Sequence, residues 1–543
     1  MRGARVRTRR RLSGDEGDWV MGGKKPADRQ VGVGLWALAA TMALAAALTT
    51  GCTLGPNPER PVTAADEAET YAHATAETPP DQTKVTPWWR SFGDAATTEL
   101  VELALANNTD LQAAAARVLQ AEAALQKAGG ARLPQVGYDA GAQRQKTSFV
   151  LPGTGRREIF STTYSYDFSV AWQADLFGRL KRTRQAAWAN LLAEEAAREA
   201  VVHSLVAAVV RARVAIAILE RAESVTREIT ASWQSTLKTV ERRYRNGLAD
   251  AVDLHLAREN YASAKAAGAV IEGQLQQARL ALDVLVGRRP GSGPNLPHTL
   301  ADLPSLDPVP LGLPADLLDR RPDLRQAEMR LSAATYGVGA ALASLYPDLS
   351  LTGSAGGRSD TLADITSVDG VIYNAVANLV GPLFTGGQRR ADVDAARAHA
   401  DEAIAVYAGA VLQALREVED ALVLGEASEQ NLEYTNQRVS EARAADRLAK
   451  QRYQRGVASL LTVLETERRM RLAEQAIVTA TADVWNARVD LFLALGGDWG
   501  IEPQNSAIGS TGESETRASS ENPGSGSPNS KLKTQYSNSA EVP

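Results

Sequence analysis

Tyr244-Arg-Asn-Gly-Leu-Ala-Asp-Ala-Val-Asp253 returns late in the chain as Tyr453-Gln-Arg-Gly-Val-Ala-Ser-Leu-Leu-Thr462. Both stretches begin with an aromatic and place a glycine three residues on, at Gly247 and Gly456. Each reads as the tip of a helical hairpin. Tyr244 and Tyr453 fall in a last helical turn, and the glycines suit the C′ position, where φ is positive. Asp250 and Ser459 then suit the N-cap of a returning helix.

Reading outward from the tips gives their helices. From Gly178 to about Arg243 there is no Pro and no internal Gly. That spacing predicts one helix of roughly 65 residues, ~100 Å long. Its Val201–Leu219 portion is apolar, but His203, Arg211 and Arg213 interrupt it, so it reads as a helix among helices and not a bilayer span. Ala251 to Val286 is a returning helix of roughly 35 residues. Gly386-Gly387 opens a second long helix up to Gln454.

Before the first long helix the period changes. A helical pattern covers Thr98 to Gly130. Gln135 to Thr147 then alternates, and Ser161 to Leu176 does so more clearly. Tyr164, Tyr166, Phe168, Val170, Trp172, Ala174 and Leu176 share one face, against Ser165, Asp167, Ser169, Gln173 and Asp175. Period two at this length, with aromatics near both ends, predicts a membrane strand with one apolar face. Ser148 to Gly155 is the expected hairpin loop. A second strand pair follows: Leu349, Leu351, Gly353 and Ala355 alternate with polar residues, and Val371, Tyr373, Ala375, Ala377, Leu379 and Leu383 line one face.

The second half repeats the first. Asp110 through Pro134 maps onto Asp323 through Pro347 at constant spacing, Phe177 pairs with Phe384, and Leu282 and Gly287 pair with Leu491 and Gly496. Each half reads as short helix, strand, strand, long helix, tip and short helix, an internal duplication. The short helices can stack end to end beside the long one. Four membrane strands cannot close a barrel, and open edges are not tolerated in lipid. Two copies would give eight strands and a filled interior; three would give twelve and leave a lumen.

The ends suggest export and anchoring. Lys24, Lys25 and Arg29 precede an apolar run, Val31 to Thr50, closed by Gly51-Cys52. Residues 1–51 therefore read as a secretory signal, with the true start expected near residue 21. Cys52 is the single cysteine, so no intrachain disulfide can form. Residues 52–86, rich in Pro, Thr, Ala and Glu, read as an extended tether without a core. The first repeat is expected over 87–291, a connector over 292–313, the second repeat over 314–500 and a disordered tail over 501–543. With 23% charged residues and a net charge of −5, the chain lacks a basic footprint for nucleic acid. Its five histidines are scattered, and no cofactor or metal motif is present, which argues against an enzyme.

Several blocks carry a resemblance. They are Gly51-Cys-Thr-Leu-Gly-Pro56, Trp89-Arg-Ser-Phe-Gly-Asp94, Asp175-Leu-Phe-Gly178, Leu313-Pro-Ala-Asp-Leu-Leu-Asp-Arg-Arg-Pro-Asp323 and Pro382-Leu-Phe-Thr-Gly-Gly387, together with both tips. From about Cys52 to Gly497 the chain resembles TolC-family outer membrane efflux proteins of the lipoprotein, NodT-like subgroup. The resemblance implies an α+β membrane protein: a homotrimer whose four strands per chain complete a twelve-stranded β-barrel in the outer membrane, continuous with a long periplasmic α-helical barrel. It implies a passive duct that meets a periplasmic adaptor protein and, through it, an inner-membrane pump. It also implies an acylated Cys52, palmitate included, that anchors the mature chain in outer membrane lipid.

Carried over by position, Asp253 and Glu465 are the periplasmic aperture acids, paired with Arg245 or Arg455. Thr462 stands where relatives carry a second acid. Asp253 equally suits a capping role after Asp250, and Glu465 a solvated helix face. Tyr244, Gly247 and Leu248 on one tip, and Tyr453, Gly456 and Val457 on the other, are the adaptor contacts. Two rival readings are an exit duct for type I protein secretion and a non-conducting periplasmic coiled-coil scaffold. The alternating strands speak against the scaffold.

Overall fold

The computed structural model describes residues 52–74, 87–151, 155–293, 311, 314–367 and 371–497. The expected signal, the end of the tether, most of the connector and the C-terminal tail lie outside the described residues. A four-residue helix α1 (Ala64–Glu67) sits in the N-terminal segment. A 3-10 turn at Trp88–Phe92 leads to α2 (Ala95–Asn107) and α3 (Thr109–Gly130). Strands β1 (Gln135–Leu151) and β2 (Gly155–Ala174) come next, then the long helix α4 (Arg179–Arg245) and α5 (Ala251–Leu285). The second half runs α6 (Leu317–Arg320), α7 (Pro322–Ala343), β3 (Asp348–Ser359), β4 (Val371–Val380), α8 (Gln388–Gln454) and α9 (Leu460–Ala494). The helices α4 and α8 have 67 residues each, and α5 and α9 have 35 each, so the halves match in length as well as order.

The strands form one antiparallel sheet in the order β1-β2-β3-β4. Strand β1 pairs with β2 through Leu151, so the expected loop over Ser148–Gly155 is mostly strand. Leu383, expected on β4, lies beyond its end. The register gathers apolar side chains on one face across all strands. Val136, Val170, Gly353 and Ala375 form one row, and Tyr138, Phe168, Ala355 and Tyr373 the next. Toward the helices follow Trp172, Leu351 and Ala377, then Ala174, Leu349 and Leu379. The opposite face carries rows such as Gly137, Ser169, Ser354 and Asn374. From Leu379 to Val371 the apolar face spans ~27 Å of strand, close to the ~25 Å band of an outer-membrane barrel. Gly357 makes room for the facing aromatic: a Cβ there would lie 2.5 Å from the Tyr166 ring.

The single helix expected over Thr98–Gly130 is broken at Asn108, which is extended (φ −64°, ψ 131°). The break is a joint. The Asn108 side-chain oxygen caps α3, accepting from the Asp110 and Leu111 amides, while its Nδ2 donates to the Leu285 carbonyl at 3.0 Å. That carbonyl ends α5, so α3 and α5 stack end to end along α4. The second half builds the same joint with Arg321, which donates to the Ala494 carbonyl at 3.1 Å. Arg321 also grips Asp323 and Glu417, each at 2.7 Å, tying α7 to α8. Glycines with positive φ close both joints: a Cβ on Gly287 would meet the Asn107 carbonyl oxygen at 2.4 Å, and one on Gly496 the Arg320 carbonyl carbon at 3.0 Å. Arg321 is buried while both of its carboxylate partners reach solvent, so it holds the joint by several charge-assisted bonds at once. The Arg-Arg-Pro-Asp block is thus a structural hub.

Two apolar clusters flank these joints. Trp88, Trp89 and Phe92 pack with Val206, Val209 and Val210 of α4 and Trp485 of α9. Leu317, Leu318 and Leu324 pack with Tyr407, Val411 and Val418 of α8. The apolar portion of α4 is therefore core, and its buried Arg213 pairs with Asp94 at 3.2 Å. Tyr71 and Ala65 of the N-terminal segment belong to the second cluster. The expectation of a tether without a core fails for residues 52–74, which lie packed along α4, α7 and α8.

The sheet register yields a paired test. Val170→Arg, in the middle of the apolar face, should cost ~2–4 kcal/mol and deplete the protein from the membrane fraction. Ser169→Arg, one residue away on the other face, should leave membrane yield near that of the parent. Equal loss in both variants would contradict the assignment of faces.

Candidate functional site

The tips lie at the end of the long helices opposite the sheet, ~100 Å along α4 and α8. Their backbones are nearly superimposable in hydrogen bonding. At the first, Leu248 N–H donates to the Arg243 carbonyl at 2.8 Å and Gly247 N–H to Tyr244 at 3.0 Å. At the second, Val457 donates to Arg452 and Gly456 to Tyr453, both at 3.0 Å. This is the Schellman pattern, and Gly247 and Gly456 take φ +68° and +79° to make it. Asp250 accepts from the Asp253 amide at 2.8 Å, and the Ser459 hydroxyl from the Thr462 amide at 3.4 Å. The side chains that usually fold back in this motif instead face outward: Leu248 is 66% exposed and Val457 62%.

The two tyrosines differ. Tyr244 is 43% exposed, whereas Tyr453 is 8% exposed. The Tyr453 ring lies 4.8 Å from the Arg243 guanidinium, inside a cluster that includes Val240 and Leu254 of the first hairpin and Leu460, Val463 and Leu464 of the second. Burial raises its phenol pKa. Tyr453 therefore joins the hairpins and does not present a surface contact equivalent to Tyr244.

The acids take partners other than those expected from the sequence. Glu465 is bound by Arg468 at 2.9 Å and Arg469 at 2.7 Å, one helical turn away on α9, which hold its carboxyl down to about 2. Arg245 donates to the Glu241 carbonyl on its own helix, at 3.3 Å. Neither Arg245 nor Arg455 is ion-paired with Asp253 or Glu465. Asp253 is half-buried, and burial, then the Asp250 charge, push its carboxyl above the usual range against the pull of Arg243.

Above the tips sits a polar network that the sequence reading missed. Glu467 is fully buried, accepts from the Ser232 hydroxyl at 2.9 Å and lies 3.7 Å from Lys450 Nζ. Lys450 also meets Asp446 at 3.0 Å and Ser232 at 3.0 Å. The Arg471 guanidinium stacks 4.0 Å from the buried Trp233 ring. Burial raises the Glu467 carboxyl and lowers Arg471 to about 10. Charged residues four apart on otherwise apolar helix faces, Asp446 with Lys450 and Glu467 with Arg471, were the available signal. Higher still, α4, α5, α8 and α9 share one concave cleft of about 1120 Å³, lined by Arg221, Arg227, Arg279, Arg443 and Arg447 with Glu220, Glu223 and Glu272.

Among the described residues Cys52 is exposed and free. The residue after it, Thr53, abuts Gly178, four residues past the end of β2. That contact puts the cysteine at the junction of sheet and helices.

The sequence matches the family described as "Outer membrane efflux protein" over residues 100–288 and 313–497. It is 31% identical over 443 residues to the pyoverdine export outer membrane protein OpmQ of Pseudomonas aeruginosa, covering 79% of this chain and 90% of OpmQ. It is 33% identical over 470 residues to outer membrane protein OprJ of the same species, covering 84% of this chain and 95% of OprJ. Among solved structures it is similar to the outer-membrane channel OprN, with a TM-score of 0.76 at 30% identity, covering 82% of this chain and all of OprN's.

The buried network makes a pH prediction. With its pKa raised, Glu467 takes a proton more readily in the native state than in the unfolded chain. Its contribution favours the fold below the ordinary carboxylate range and fades as pH rises through the raised value. Glu467→Gln removes that fade. The drop in apparent melting temperature between pH 5 and pH 8 should narrow relative to the parent; an unchanged or wider drop would contradict the burial assignment.

Proposed function

The chain belongs to the outer membrane efflux protein family, and on that footing we propose that it works as a trimeric, lipid-anchored duct docked to a periplasmic adaptor and an inner-membrane pump. Its place is the outer membrane and its role is efflux; family and fold are those of channel proteins. The observation that carries the duct reading is the sheet: one apolar face across four strands, with β1 and β4 unpaired on their outer sides among the described residues. Three copies close such edges into a twelve-stranded barrel with a lumen, whereas two would leave an interior filled by side chains. Internal repetition supports closure by copies. Phe177 stacks on Tyr346 at 4.7 Å within the chain, while their repeat counterparts Phe384 and Leu133 are 91% and 62% exposed.

The charged concave cleft is the wall expected of a water-filled tube. The duct needs no chemistry of its own, and transport is passive once the pump drives it. Cargo comprises small molecules chosen mainly by the pump; OpmQ is named for pyoverdine export. At the far end, exposed Leu248 and Val457, presented by the turns at Gly247 and Gly456 and flanked by Tyr244, form the adaptor contact. Asp253 and Glu465 line the closed aperture, with Arg245 and Arg455 exposed beside them. Three copies of Asp253 brought close would raise one another's pKa further and favour cations. Cys52 carries the lipid, and its position at the sheet–helix junction suits acyl chains entering the inner leaflet.

Purified protein in a planar bilayer should conduct ions in discrete steps, rare in the parent and more frequent in Asp253→Ala. Assembled protein that inserts yet never conducts, in parent or variant, would overturn the duct reading.

A further inference from the structure

The N-terminal segment is extended, as its composition predicts, but it lies in a groove built to receive it. Leu54 N–H donates to the Phe177 carbonyl at 3.3 Å. Arg182, in the first turn of α4 and 3% exposed, spends its guanidinium on this segment. Its Nε donates to the Leu54 carbonyl at 2.9 Å, one terminal nitrogen to the Gly55 carbonyl at 2.8 Å and the other to Asn57 Oδ1 at 3.0 Å. The guanidinium also lies 5.5 Å from the Tyr336 ring of α7. The backbones touch: Gly55 has φ +89°, and a Cβ on it would lie 2.3 Å from the Gly339 Cα. A Cβ on Gly339 would in turn lie 2.9 Å from both Arg182 Nε and the Leu54 carbonyl oxygen. Lys181 reaches the Thr53 hydroxyl at 3.0 Å.

Farther along, Arg60 bridges Asp319 at 2.8 Å and Glu328 at 2.7 Å. The segment ends on α8, where Glu419 accepts from the Ala72 amide at 2.7 Å and meets the His73 ring at 2.8 Å. The run therefore staples α4 of the first repeat to α7 and α8 of the second.

The clamp has a consequence for the membrane end. Gly178 follows β2, and Arg179 pairs with Asp348, the first residue of β3, at 3.5 Å. Strands β2 and β3 are the central pair of the sheet, and Ala174 faces Leu349 at its base. A segment fixed to Phe177, Gly178 and Arg182 starts beneath that central seam, away from the free edges of β1 and β4.

We propose that residues 53–74 form a built strap and that Arg182 is the positioning residue that holds the anchored Cys52 under the β2–β3 seam, clear of the edges that must meet neighbouring copies. The anchor half of this statement rests on the lipidated reading above; the clamp half does not. An acyl group attached to a loose tether could wander across β1 or β4 and compete with strand pairing. One held by Arg182 cannot.

The test is hydrogen exchange with mass spectrometry on the full mature protein in detergent, alongside the mass of its N-terminal peptide. In the parent, the Leu54 amide, which donates to the Phe177 carbonyl, should be protected and the N-terminal peptide acylated; Pro56 and Pro58 carry no amide hydrogen to exchange. Arg182→Ala removes charge-assisted bonds to the Leu54 and Gly55 carbonyls, so exchange of the Leu54 amide should rise on the order of tenfold or more, with acylation unchanged. Arg60→Ala should loosen the stretch beyond residue 59 and leave the Leu54 amide protected. If Arg182→Ala yields no assembled protein, Gly339→Ala must free the same Leu54 amide, because its Cβ crowds the opposite wall of the groove. Parent-like protection in both Arg182→Ala and Gly339→Ala, or no protection in the parent, overturns the clamp. An unacylated parent whose strap is protected removes the anchor and leaves the clamp standing.

Discussion

Backbone N–H and C=O groups have no partner in hydrocarbon, so a sheet with open edges cannot remain in a bilayer. Among its described residues this chain brings four strands, one apolar face and two outer edges without a strand partner. Closure must come from outside the chain, and the internal repeat makes another copy the fitting source. The strands that meet inside the chain, β2 and β3, have repeat counterparts in β4 and β1. Much of the remaining architecture follows from that closure. The helices continue the strands, so they inherit the ring. The tips, being the far ends of those helices, become the rim of a tube.

A tube of ~100 Å built from helices of unequal length needs joints, and the two halves solve this with one geometry and different chemistry. Asn108 uses a neutral amide to reach the Leu285 carbonyl; Arg321 uses a guanidinium to reach the Ala494 carbonyl. The charged version also gathers Asp323 and Glu417, so the second half is tied more tightly to its long helix. The tips diverge in the same way. Identical turn chemistry leaves Tyr244 exposed and buries Tyr453 beneath Arg243, so the second hairpin is anchored upon the first. Duplicate sequences here yield unequal roles because each half meets different neighbours.

Those differences mark where the sequence was legible. The long helices could be bounded within about two residues because no Pro or Gly interrupts the first and Gly-Gly opens the second. The tips followed from one glycine each, and the strands from strict period two. What stayed hidden depends on residues far apart in the chain. The break at Asn108 falls in the polar run Asn107-Asn108-Thr109-Asp110, which passes for the solvated face of one helix until Leu285 supplies the partner. The strap looks like any Pro-rich tether until Arg182 and Gly339 are placed against it. Position relative to the turn points Glu465 to Arg245 or Arg455, yet Arg468 and Arg469 on its own helix take it. Asp253 lies beside the turn, where the aperture was expected, but with a capping partner and no ion pair.

Closure by copies of this chain can be read directly. Ala171 pairs with Thr352 inside the chain, and the equivalent positions at the free edges are Val380 and Asp139. A chain carrying Val380→Cys and Asp139→Cys, treated in membranes with a short bis-maleimide, links β4 of one copy to β1 of the next. Within one chain Asp139 lies level with Ile372, so Val380 is ~14 Å away across three strand spacings and a further ~27 Å along the strands, beyond the reach of a short reagent. The account predicts a ladder of one, two and three chains that stops at three. A ladder that ends at two, runs past three or fails to form in correctly inserted protein would contradict it.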